Sequence, residues 1–158
     1  MFLLLILQSQ RNLMFIIEFF SLHLNTTAGT DVLDLTSLVQ QSLAASGVSD
    51  GLLTLFTPGS TAALSTIEYE PGVINDLKKA IDRLIPREIA YDHDRRWGDG
   101  NGYSHVRAAL FKPDLSIPFQ NKKLTLGTWQ QIVLLDFDNR PKERLVRGQI
   151  MGMTSSAV

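Results

Sequence analysis

Ile132-Val-Leu-Leu-Asp-Phe137 restricts the fold more than any other segment, because its apolar residues fall on both faces of any strand they form. Such a strand is central and buried. Asp136 inside it needs a partner, and a structural ion pair is its expected role. The surrounding sequence continues with period two from Pro113 onward. Leu115-Ser-Ile-Pro-Phe119 and Lys123-Leu-Thr-Leu126 read as a hairpin across Gln120-Asn121-Lys122, and Lys142–Ile150 reads as the last strand, with charges alternating on one face. The tail Thr154–Val158 is expected to fray.

Before Pro113 the pattern is mixed. Residues 15–22, rich in Phe and Ile, read as a strand, and Asn25–Thr30 as a loop. Asp34 is placed to cap a helix from Leu35 to about Ser46, with Leu35, Leu38, Val39 and Leu43 on its apolar face and Gly47 ending it. Leu52–Phe56 and Ala62–Glu68 read as strands joined by the turn Pro58-Gly-Ser-Thr61. That turn resembles a small anion-binding turn, a common and weak signal.

Pro71 opens the clearest helix, Gly72 to Ile85, whose stripe is Val73, Ile74, Leu77, Ala80, Ile81, Leu84 and Ile85. Pro86 ends it. Two main helices and a mostly antiparallel sheet or sandwich define an α+β fold, with a short third helix after a glycine-rich loop. The 158 residues fit one domain, assigned to 14–152. Residues 1–13 hold a short apolar run, Met1–Leu7, too short to span a bilayer. Met14 is read as the true start and 1–13 as an extension, an extra edge strand being the alternative.

The net charge of −1 offers no broad field for nucleic acid or anionic lipid, so any anion site must be local. No cysteine is present, which excludes disulfides, thiolate metal sites and a cysteine nucleophile, and is compatible with a reducing cytoplasm.

Chemistry is concentrated in Tyr91–Arg107, which carries two of the three histidines, three aspartates, three arginines, three glycines and Trp97. Gly98, Gly100 and Gly102 allow positive φ and close approach to a ligand. Asn101 is a candidate N-cap for a helix through Ser104–Leu110, whose amino end would suit phosphate or carboxylate. His105 falls in its first turns, with His93 and Asp94 across the loop.

Three readings of the histidines stand side by side. One is a metal site on His93 and His105, with Asp94, Asp99 or Glu68 as carboxylate. Another is acid–base or phosphate-binding work. The third is a pair of hydrogen-bonded structural histidines. His23 reads as a surface histidine. Trp97 reads equally as a stacking ring or a lid on the core. Trp129, taken alone, is expected in the core.

Pro58-Gly-Ser-Thr-Ala-Ala63, Thr66-Ile-Glu68, Trp97-Gly-Asp-Gly-Asn-Gly102 with Ser104-His-Val-Arg107, and Leu126-Gly-Thr-Trp-Gln-Gln131 resemble the successive blocks of the YjbQ family, in its archaeal-type branch. The resemblance runs from about Met14 to Gly152. It implies a compact α+β fold, a homotrimer with sites at or near subunit interfaces, and a phosphorylated small-molecule ligand. Members have been linked to a secondary thiamine-phosphate synthase activity, which joins a pyrimidine diphosphate to a thiazole phosphate and releases pyrophosphate.

His93, Asn101, His105, Arg107, Trp129 and Gln130 match the family's motif positions. The resulting catalytic set is His93, His105, Glu68 and Asp99, with Asn101, Gly102, Arg107, Trp129 and Gln130 as ligand-binding residues. A divalent metal, zinc or magnesium, would sit on His93 and His105. Many members carry a histidine where this chain has Gly59, and some carry one where Tyr103 stands.

Overall fold

The computed structural model describes residues 14–154. The expectations for residues 1–13 and for 155–158 fall outside that range, while Thr154, expected to fray, instead ends the last strand and donates its N–H to the Met14 carbonyl at 3.0 Å. Twelve elements follow in order: β1 (Phe15–Asn25), β2 (Asp31–Asp34), α1 (Thr36–Ala45), β3 (Val48–Phe56), β4 (Ala62–Ile67), α2 (Pro71–Leu84), α3 (Asp92–Trp97), α4 (Gly102–Phe111), β5 (Asp114–Gln120), β6 (Lys123–Leu124), β7 (Gln131–Asp136) and β8 (Glu143–Thr154).

The strands form two wholly antiparallel sheets, one of order β1-β8-β3-β5-β6 and one of order β2-β7-β4. β7 lies at the centre of the smaller sheet. Ile132 and Leu134 point into a core shared with the larger sheet, together with Leu53, Leu55, Ile117, Phe119, Val146 and Ile150. Val133, Leu135 and Phe137 point the other way and pack with Ile81 of α2 and Ala108 and Phe111 of α4. The doubly apolar run therefore separates two cores, and the layers run sheet, sheet, helices.

Local chemistry explains the element ends. The Glu70 carboxylate accepts the N–H groups of Gly72 (2.8 Å) and Val73, capping α2. The N-cap of α1 is Leu35 rather than Asp34, but the Asp34 carboxylate just before it accepts the Thr36 N–H at 2.8 Å and so still satisfies one free donor of the first turn. Asn121 and Lys122 both have positive φ, +49° and +59°, as a two-residue hairpin of this twist requires.

Three expectations of exposure change. Leu38, read on the apolar face of α1, is 41% exposed, Leu84, in the α2 stripe, is 78% exposed, and Trp129 is 72% exposed rather than in the core. Leu84 is the last residue of α2 and lies outside the cluster that Ile74, Leu77 and Ile81 make with the smaller sheet. Trp129 sits in the loop between β6 and β7, outside both cores. β2 and α3 are elements that the sequence pattern does not signal. β2 has only four residues, too few to show period two, and α3 buries no residue, so it carries no apolar stripe.

Candidate functional site

The site grows from the connection between α3 and α4. Gly98 adopts left-handed backbone (φ +69°) and ends α3, and its N–H donates to the Asp94 carbonyl at 2.8 Å. The chain reverses through Asp99-Gly100-Asn101 into α4. The Asp94 carboxylate then accepts the Gly102 N–H at 2.8 Å, tying the start of α4 to α3. Gly102 has no room for a side chain, because a Cβ there would lie 2.6 Å from Tyr91 Cβ.

This clasp brings His93 on α3 against His105 on α4, with ring centroids 4.4 Å apart and planes at 43°. Asp99 Oδ2 lies 3.2 Å from His93 Nε2. With its amide nitrogen turned to Asp99, Asn101 donates to both carboxylate oxygens at 3.2 Å. Asn139 Nδ2 donates to the Asp99 carbonyl at 2.8 Å and anchors the loop to the segment after β7. The ring nitrogens of His105 make no hydrogen bond to the described residues.

His93, Trp97, Asp99, Asn101 and His105 line one side of an open cavity of about 580 Å³. Gly59, Ser60, Thr61, Asp138, Lys142 and Arg144 line the other. Arg144 projects from the inward file of β8, next to Val146, onto a carboxylate-rich floor. Its Nε and Nη2 each donate to Asp136 at 2.6 Å, and Nη2 also donates to Thr61 Oγ1 at 2.8 Å. Thr26 donates to Asp136 at 2.6 Å and Thr61 donates to Asp138 at 2.9 Å.

Burial pushes the Asp136 carboxyl up, but the Arg144 guanidinium, the Thr26 hydroxyl and the Asp138 N–H outweigh it and hold the group below the ordinary carboxylate range. Asp136 is thus in the ion pair expected of it, and the pair forms the base of the cavity. Lys142 Nζ stands 3.7 Å from Asp138 Oδ2 at the rim.

Not all the residues singled out by motif reach this cavity. Gly102 is buried behind it. Arg107, although only two residues from His105, points away and is wholly buried; its Nε and Nη2 donate to the Ile85 carbonyl at 3.1 and 2.6 Å and its Nη2 to Asp82 at 2.8 Å. The guanidinium carbon also lies 4.9 Å from the Tyr103 ring centroid. Helical geometry explains the divergence, since residues two apart face nearly opposite sides.

Glu68, Trp129 and Gln130 cluster at the far end of β4, where Gln130 Nε2 donates to Thr66 Oγ1 at 3.0 Å. The length of β4 separates them from the histidines, roughly 20 Å at strand rise. His23 is on the surface beside Glu143, 3.1 Å away.

Among the described residues, no three His, Asp or Glu side chains are disposed to hold a metal ion together. Nor is any helix among them long and apolar enough to cross a membrane.

Lys142, Arg144 and Asp138 are the residues of the cavity that the sequence pattern did not single out, whereas Gly59, Ser60 and Thr61 belong to the turn read there as a weak anion-binding signal. The available signal was Arg144 itself, a charge in register with the inward-facing Val146 and Ile150.

The two packed antiparallel sheets, the helical layer and the polar cavity between α3, α4 and the start of β4 define a small α+β protein with a histidine-lined hollow. Residues 20–153 match the family model described as UPF0047 protein YjbQ-like. The chain belongs to that family. A UPF0047 protein of Archaeoglobus fulgidus is 34% identical over 125 residues, covering 79% of this chain and 95% of that one. A Mycobacterium bovis UPF0047 protein is 36% identical over 121 residues, covering 77% and 92%. Among solved structures, a YbjQ-like protein of unknown function from Sulfolobus solfataricus superposes with a TM-score of 0.83 at 27% identity, over 88% of this chain and 99% of that one. A hypothetical protein from Aeropyrum pernix superposes with a TM-score of 0.77 at 30% identity, over 85% and 98%.

Proposed function

We propose that this chain is a small-molecule enzyme acting on a phosphorylated substrate, and that the reaction is the joining of a pyrimidine diphosphate to a thiazole phosphate with release of pyrophosphate. One observation carries the reading: two imidazoles in contact across a polar cavity, with a carboxylate on one of them and two cations opposite, Arg144 held by Asp136 and Lys142 at the rim. A departing diphosphate needs cationic contacts and a proton donor. Lys142 and Arg144 supply the first, and His105, free of hydrogen bonds to the described residues, supplies the second. Asp99 holds the His93 ring in place.

The homotrimer belongs to the same proposal. Trp129, Gln130 and Glu68 stand too far from the histidines to share a cavity within one subunit. Subunit contacts that bring the far end of β4 to a neighbour's His93–His105 pair would reunite the motif residues.

The test is formation of thiamine phosphate from the two substrates. Wild type should turn over and His105→Ala should lose at least about a hundredfold in kcat. Equal product from both would remove His105 from the mechanism. Mixing His105→Ala with Trp129→Ala subunits should restore part of the activity if sites are shared between subunits. A metal- or anion-binding trimer without catalysis is the second reading, favoured by the His93–His105 contact itself. Elemental analysis of protein purified without added metal separates the two, since stoichiometric zinc lost on His93→Ala would support it.

A further inference from the structure

Two features of the cavity are not used by the proton chemistry above. The first is the free arm of Arg144. Its side chain is nine-tenths buried and three of its contacts are fixed, yet Nη1 makes no hydrogen bond to the described residues. A buried guanidinium nitrogen without an acceptor is costly unless something binds there. Nη1 points at the wall formed by Gly59, lying 3.6 Å from where a side chain on that residue would begin. The backbone N–H groups of Gly59 and Ser60, in the same exposed turn, also lack partners among the described residues. Lys142 stands at the rim of the same cavity.

The second feature is an adjoining alcove of about 280 Å³, lined by Gly59, Ala62, Ala108, Ala109, Pro113 and His105. Its walls are small and apolar. His105 and the Gly59–Ser60 turn border both spaces.

We propose that the Gly59–Ser60 turn, the free arm of Arg144 and Lys142 form a phosphate subsite, and that the alcove beside it receives the face of the flat aromatic ring of the phosphorylated substrate. The proposal rests on the reading of a phosphorylated substrate and deepens it, placing the anion and the ring on either side of His105. Oxyanion lone pairs take the Nη1 protons and the turn's N–H groups. Asp136 and Asp138 lie behind the guanidinium and offset its charge, so selectivity comes from the donor geometry, with affinity for a bare phosphate on the order of millimolar. The ring adds apolar burial against Ala62, Ala108 and Pro113.

The test is direct binding, followed by ³¹P NMR or calorimetry, of inorganic phosphate and phenyl phosphate to the full chain. Wild type should bind both, phenyl phosphate more tightly. Arg144→Lys keeps a cation but removes the Nη1 donor, and should weaken both about tenfold. Lys142→Met, at an exposed position where folding is not at stake, should weaken both by about threefold. Ala109→Leu, on the exposed side of α4, should bring phenyl phosphate down to the affinity of inorganic phosphate and leave the latter unchanged.

No phosphate binding by wild type, or binding within twofold of wild type in both cation variants, would overturn the subsite. Phenyl phosphate unaffected by Ala109→Leu would overturn the alcove. Because no turnover is needed, the two readings fail separately. Absent thiamine phosphate formation with variant-sensitive binding refutes the activity alone. Activity with variant-insensitive binding refutes the subsite alone.

Discussion

Replacing Arg107 by alanine should cost the fold about 3–5 kcal/mol, most of it from one carbonyl and the arginine stem. The side chain has no solvent exposure. Its Nε and Nη2 both serve the Ile85 carbonyl just past the end of α2, and alanine leaves that carbonyl without them, a loss of about 1–3 kcal/mol. The buried methylenes add about 0.8 kcal/mol each. The ion pair to Asp82 contributes least, because the Asp82 side chain is 55% exposed and water replaces the guanidinium there.

A domain of this kind is stable by about 5–15 kcal/mol, so Arg107→Ala spends a large share of the total. At about 2–4 °C per kcal/mol for this length, Tm should fall by roughly 6–20 °C. Arg107→Met keeps most of the stem and should lose only the carbonyl's share, about 1–3 kcal/mol. Urea unfolding of the three proteins measures these differences directly. If Arg107→Ala lies within about 1 kcal/mol of wild type while phosphate binding collapses, the side chain serves ligand rather than fold and the reasoning fails.

Two further outcomes follow from the same framework. Asp136 has a folded-state pKa held below its unfolded value, so its contribution is fully present above the unfolded pKa of about 3.9 and is lost as pH falls through the lower folded value. The stability gap between wild type and Asp136→Asn should therefore be wide at pH 7 and narrow below about pH 4; a gap that stays constant in urea titrations across that range would contradict the assignment. Gly102→Ala drives a methyl into Tyr91, so it should destabilise by about 1–3 kcal/mol and part the helices, seen as altered His93 and His105 ring resonances in NMR spectra. Unchanged ring signals would mean that the clasp does not set their spacing.

Much of the fold could be read from the chain because its signals are local. The doubly apolar β7, the hairpin across Asn121-Lys122 and the helix after Pro71 each follow from periodicity or backbone preference within a few residues. α3 and β2 left no such trace, being too short or too polar. The site divided in the same way. His93, His105, Asp99 and Asn101 were legible because one glycine-rich connection carries all four, and a four-residue reversal between two helices returns them to a common hollow.

Composition and local pattern determined the class of fold, the central strand and the segment bearing the histidines, since those depend on neighbours along the chain. The tertiary structure alone decided which way each side chain faces. It sent Arg107 into the helix layer, lifted Trp129 and Gln130 to the opposite end of β4, and folded Arg144 of β8 back onto Asp136 of β7 beneath a cavity whose histidines lie more than thirty residues earlier. Strand register and helix packing fix those directions, and both are settled by burial between segments remote in sequence.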